Sequence, residues 1–214
     1  MAAELKLSDL ELAALVSSKI CHDIISPVGA IANGLEVMDE ETDQAMQDHA
    51  MALIRSSAAQ ASAKLQFARL AFGAAGSAGA EIDVLEAEKV ARMVAEAGKH
   101  TLEWNGPPAR LAKDKVKLLL NMVTLGLAAL PRGGALKVSI EGEGDASSFE
   151  LRCEGDSVRI PEKLAEFMAG STDLVLDAHS IQPFFTLRIA RAAGMSLKVE
   201  NDGPEIVFSA TQAG

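Results

Sequence analysis

His22 and Asp23, followed by Ser26 and Pro27, are the residues of this chain whose types and spacing can do chemistry. An unperturbed imidazole titrates near neutrality, so its neutral, nucleophilic form is available at physiological pH. A ring nitrogen can carry a phosphoryl group in a high-energy N–P bond and surrender it to a carboxylate. The neighbouring Asp23 is placed to hydrogen-bond an imidazole and assist proton movement. Pro27 breaks a local rule, because in a helix interior it removes a donor and clashes with the carbonyl at Asp23, at a cost of about 3 kcal/mol. Such violations concentrate at functional sites.

These residues need a rigid element to present them. Ser8-Asp9-Leu10-Glu11 is a capping-box pattern. From it a helical repeat of apolar residues (Leu12, Val16, Ile20, Ile24, Val28, Ile31, Leu35 and Met38) runs to about Met38. The acidic cluster Asp39-Glu40-Glu41 predicts a turn, with Thr42-Asp43 as the next cap. A second, alanine-rich helix is expected from about Asp43 to Phe72. Two long helices with a short connection make an antiparallel hairpin. At about 100° per residue the apolar set occupies an arc of about 160°, with His22 opposite its middle. Ser18, Ser26, Gly29 and Asn33 fall on the histidine's side, so the imidazole is predicted to face outward. A hairpin with an uncovered apolar stripe is expected to pair with a second copy, giving a dimeric four-helix bundle.

Gly73 to Gly79 reads as a linker by composition. It divides residues 1–75, a helical hairpin, from residues 82–214. In the second part the pattern predicts helices at 84–97, 114–130, 161–169 and 181–193. Strands are expected near 101–104 and at 135–141, 148–153, 195–200 and 205–210, with turns at Pro131–Gly134 and Asn201-Asp202-Gly203. This is an α + α/β chain whose C-terminal part is a two-layer sandwich.

The segment His22-Asp23-Ile24-Ile25-Ser26-Pro27-Val28-Gly29-Ala30-Ile31 resembles the H-box of histidine kinases, which reads His-Glu/Asp-x-x-Ser/Thr-Pro-Leu/Val-x-x-Ile. It matches at His22, Asp23, Ser26, Pro27, Val28 and Ile31; Ile25 departs from the usual basic residue. The C-terminal part resembles the ATP-binding domain of the same kinases, the Bergerat fold, but departs from its nucleotide motifs. The Mg²⁺-binding Asn expected six residues before Pro131 is Leu125, although Asn121 stands one turn earlier. The adenine-binding Asp-x-Gly-x-Gly aligns with Gly155, Ser157 and Arg159. The glycine-rich phosphate loop is replaced by Ser180-Ile181-Gln182-Pro183.

The whole chain, from about residue 5 to 211 and including Gln182-Pro183-Phe184-Phe185, resembles the histidine phosphotransferases of alphaproteobacteria. That resemblance implies a homodimer that neither binds ATP nor phosphorylates itself. Its histidine, His22 here, would take phosphate from the receiver domain of a hybrid histidine kinase (CckA-like). It would pass the phosphate to response regulators (CtrA-like and CpdR-like) that govern the cell cycle. Mg²⁺ would be supplied by the receivers. Docking is expected on the outward face of the first helix, through Lys19, Ser26, Gly29 and Asn33, with Ile25 as an apolar anchor and Arg55 added from the second helix. Receivers are acidic around their aspartate, so Lys19 would steer them.

Composition narrows the alternatives. A net charge of −10 argues against nucleic acid and anionic membranes. No apolar run approaches the roughly 18 residues of a membrane span. The N-terminus lacks a signal-peptide layout, and two cysteines, Cys21 and Cys153, suggest no disulfide framework. A cytoplasmic protein is the expectation. His49, His100 and His179 lack metal-ligand spacing and read as structural or surface residues. Cys21 reads as a small residue at the stripe's edge, and Arg188 and Arg191 as a solvated helix face. Two rival functions compete with the relay: an active kinase, and a non-enzymatic dimeric scaffold or kinase inhibitor that docks two-component proteins without needing His22.

Overall fold

The computed structural model describes residues 7–73, 80–170 and 175–213. Its first element is one unbroken helix, α1 (Asp9–Glu40), opened by the expected capping box: Glu11 N–H donates to Ser8 Oγ at 3.3 Å and Ser8 N–H to Glu11 Oε2 at 2.9 Å. The helix absorbs Asp39 and Glu40, so the turn falls at 41–43. Asp43 then caps α2 (Gln44–Ala71) through Ala45 N–H at 2.9 Å. The two helices pack antiparallel, with Gly34 against Ile54 and Ala50.

The hairpin's inner face differs from the expected stripe. Pro27 and Gly34 are its buried positions on α1, while Val28 and Leu35 stay about half exposed. Small residues let the two backbones approach, and the larger apolar side chains flank that seam. Pro27 leaves the Asp23 carbonyl without its helical donor. Lys64 of α2 supplies one instead, its Nζ donating to Asp23 O at 2.9 Å.

The linker's residues 74–79 lie outside the described residues. Beyond them come β1 (Glu81–Asp83), α3 (Val84–Glu96), β2 (His100–Asn105), β3 (Arg110–Ala112), α4 (Lys113–Ala129), β4 (Gly134–Glu141), β5 (Ser148–Glu154), α5 (Glu162–Met168), α6 (Ile181–Ala192), β6 (Met195–Asp202) and β7 (Glu205–Gln212). Strands β1 and β3 form a two-stranded antiparallel pair that the sequence pattern did not suggest. The remaining five form a sheet in the order β2-β4-β5-β7-β6, parallel only between β2 and β4. Its inner face alternates as a half-buried sheet should: Leu136, Val138 and Ile140 on β4, Phe149, Leu151 and Cys153 on β5. Helix α4 lies in the middle of the core, with Leu118, Leu119, Leu120, Met122 and Val123 fully buried. The turn into β4 needs glycine: Gly133 has φ +92° and a Cβ there would meet Lys99 O at 2.3 Å. The β6–β7 turn closes on Gly203-Pro204, since Asp202 pairs with Glu205.

Phe67, Leu70 and Ala71, from the last turns of α2, belong to the same buried cluster as α4 and the sheet. The hairpin's open end is thereby built into the α/β core, which fixes its position relative to the sheet layer.

Candidate functional site

His22 sits midway along α1 with its side chain 57% exposed, on the outward side expected from the helical phase. Ser26, Gly29 and Asn33 are exposed one, two and three turns further on, and a Cβ at Gly29 would meet nothing within 4 Å. Ile25 is 69% exposed. These residues share an accessible strip of helix.

Lys19 does not belong to that strip. Its side chain is only 14% exposed and lines a cavity of about 180 Å³ between the hairpin and α3 and α4. Its ammonium donates to Asp23 Oδ2 at 2.9 Å. Helical phase misplaces it because only the apolar residues count there as inward-facing; a lysine stem packs along apolar surface while its charge finds a carboxylate. Arg55 is exposed on α2. The contacts of Asp23 with Lys64 and of Gly34 with Ile54 put it at the level of Asn33, about 16 Å along the helix axis from His22.

Asp23 lies beside the ring but does not hydrogen-bond it: His22 Nδ1 and Asp23 Oδ1 are 3.7 Å apart. Asp23 is therefore a nearby negative charge, anchored by Lys19, on the Nδ1 side. Imidazole geometry leaves Nε2 on the opposite side of the ring.

The residue missed by the sequence reading is His179. Its ring stands edge-on to that of His22, with centroids 4.3 Å apart and planes at 77°. It is carried on a tight turn before α6, in which Asp177 Oδ1 accepts from His179 N–H (3.0 Å), Ser180 N–H (2.8 Å) and Ser180 Oγ (2.7 Å). These bonds hold the Asp177 carboxyl below its usual range, the Ser180 hydroxyl contributing most. No spacing rule links two histidines so far apart in sequence; only the Asx-turn pattern Asp177-Ala178-His179-Ser180 hinted at a shaped loop. Arg188 also departs from the expected solvated face, approaching Asp9 of α1 at 3.8 Å. His100 is structural, its Nε2 lying 3.0 Å from Leu130 O.

Two residues set against the kinase nucleotide motifs are taken up by the fold itself. Leu125 is buried in the core. Asn121 is fully buried; its Nδ2 donates to Ala71 O (3.0 Å) and Lys117 O (2.8 Å), and its Oδ1 accepts from Gln182 Nε2 (2.6 Å). Among the described residues no group of three or more His, Cys, Asp or Glu side chains is arranged to hold a metal, and no helix is long and apolar enough to cross a membrane.

Fold and site together define a two-part protein: a helical hairpin that presents a histidine, fused to a mixed α/β sheet layer. The family model described as "Histidine phosphotransferase C-terminal domain" matches residues 84–205. The chain is 48% identical over 211 residues to the "Protein phosphotransferase ChpT" of Brucella abortus (strain 2308), covering 98% of this chain and 100% of that relative. It superposes on a solved bacterial phosphotransferase with a TM-score of 0.90 at 47% identity, covering 96% of this chain and 98% of the other. The chain belongs to the histidine phosphotransferase family.

Proposed function

We propose that this chain relays a phosphoryl group through His22 between receiver domains of two-component proteins. The observation that carries this reading is the ring's placement: its side chain is 57% exposed on α1 with Nδ1 toward Asp23, which makes Nε2, on the other side of the ring, the nitrogen assigned to an incoming phosphate. In the first step the Nε2 lone pair attacks the phosphorus of an aspartyl phosphate on the donor. The N–P bond forms as the P–O bond breaks, and its electron pair returns to the donor's carboxylate. The imidazole then carries positive charge, which Asp23 offsets from the Nδ1 side until a proton leaves. In the second step Nδ1 takes a proton back and a carboxylate oxygen of the acceptor attacks the same phosphorus, the N–P pair returning to Nε2 of a neutral imidazole. Mg²⁺ held by the receivers neutralises charge on the transferring group, while this chain contributes nucleophile and positioning.

The donor on this reading is the receiver of a CckA-like hybrid kinase, and the acceptors are CtrA-like and CpdR-like regulators in the cytoplasm. The accessible strip of Ile25, Ser26, Gly29 and Asn33 supports docking along α1. A homodimer is supported by Val28 and Leu35, seven residues apart on one face of α1 and half exposed, and by Leu65 on α2, 51% exposed. A second hairpin would cover them.

ATP and autokinase activity have no place in this reading. Asn121, the one amide left in the motif, spends both hydrogens on carbonyls, and Leu125 offers a hard cation no oxygen. In a purified relay His22→Ala should abolish transfer while circular dichroism stays unchanged; normal transfer by that variant would overturn the proposal and favour a scaffold.

A further inference from the structure

The transfer chemistry uses residues of α1 alone, yet the nearest ring to His22 comes from the other end of the chain. An exposed imidazole on a helix samples several rotamers, and only some present Nε2 to a partner. The His179 ring, 4.3 Å away and at 77°, occupies one side of that space in the edge-to-face arrangement that aromatic rings prefer. Its side chain is exposed, and the turn that carries it is held at short range by the three hydrogen bonds to Asp177 Oδ1. At longer range it is fixed by the docking of α6 on the hairpin, through Phe185 against Phe72 (centroids 5.4 Å apart) and Arg188 toward Asp9 (3.8 Å).

We propose that His179 is a positioning residue for His22. It holds the phosphoryl-accepting ring in the orientation that offers Nε2, so that the α/β layer takes part in transfer without touching nucleotide. This rests on the reading of His22 as the acceptor. The Asp177 turn is then part of the same device, because it sets where the His179 ring stands.

The test is the rate of phosphoryl transfer from a phosphorylated receiver to the full-length protein, as a function of receiver concentration. An edge-to-face ring contact corresponds to about a two- to tenfold preference between rotamers. His179→Ala should therefore lower the limiting rate by about that factor with KM unchanged. His179→Phe keeps a ring but no titrating nitrogen, and should restore most of the rate. Asp177→Ala, which loosens the turn but keeps the ring, should lower the limiting rate in the same direction. In NMR spectra the His22 ring protons should shift in His179→Ala, as a ring-current neighbour is lost. Limiting rates equal to wild type in His179→Ala, with His22→Ala inactive, would overturn this inference alone. A rise in KM at constant limiting rate would overturn it too, making His179 a docking contact instead. Failure of His179→Phe to recover the rate would also overturn the ring-contact account. Normal transfer by His22→Ala would remove the parent reading itself.

Discussion

Replacing Lys64 by Met should destabilise the protein, and how much should depend on whether residue 27 is proline. Pro27 has no N–H, so the Asp23 carbonyl one turn before it lacks its helical donor. Lys64 Nζ takes that place across the hairpin at 2.9 Å. A hydrogen bond to a charged group contributes about 1.5–3 kcal/mol. The lysine is half-buried, so the lower end applies, and Lys64→Met should cost about 1.5 kcal/mol. In a Pro27→Ala background the backbone N–H restored at position 27 can satisfy the same carbonyl, and the lysine becomes redundant. There the substitution should cost about 0.5 kcal/mol, leaving a coupling of about 1 kcal/mol between positions 27 and 64. Urea unfolding of the four proteins of this cycle, at one fixed protein concentration so that association does not distort the comparison, measures that difference. Equal costs in the two backgrounds would refute the idea that Lys64 compensates for Pro27.

Gly34→Val should cost about 1–3 kcal/mol by overpacking the hairpin, since a Cβ alone would stand 2.7 Å from Ile54 Cγ1. Thermal unfolding should show a drop of several degrees, and an unchanged midpoint would refute the close approach. Burial pushes the Cys153 thiol up to about 12, so iodoacetamide at pH 8 should label exposed Cys21 and spare Cys153 in the native protein, as read by mass spectrometry. An unfolded thiol ionises near ~8.5, so the unfolded state binds fewer protons between that value and about 12. Stability should fall as pH rises through this window, and Cys153→Ala should reduce the slope. Leu125→Asn should not confer ATP binding in calorimetry, because Asn121 and Gln182 still fill the neighbouring space with their own hydrogen bonds; measurable affinity would show that a single side chain closes the pocket.

Much of the architecture is legible in the sequence because it depends on local chemistry. Ser8 and Asp43 cap where their side chains predict, and the main helices and strands fall within a residue or two of the pattern. His22 faces outward because a polar ring between apolar positions has nowhere else to go. What escapes the sequence is long-range. The pair β1–β3 is invisible there because three-residue strands carry no period. Lys19 falls on the wrong side because its position depends on a cavity built with α3 and α4, which does not show in the repeat of α1, although its i,i+4 partner Asp23 stands on the same helix. His179 reaches His22 only through the docking of α6 on the hairpin, a contact set by Phe72, Phe185 and the shared core rather than by any spacing. Asn121 looks in sequence like the remnant of a metal site, and its role in tying α2 to α4 and α6 emerges only once Ala71 and Gln182 are placed beside it.

The central claim is that His22 carries the phosphate. Incubating the protein with a ³²P-labelled phospho-receiver and mapping the label tests it most directly. The account predicts label on the peptide containing His22, labile in acid and stable in base, transferable to a second receiver. Label that is stable in acid, or that maps to any other residue, would contradict it.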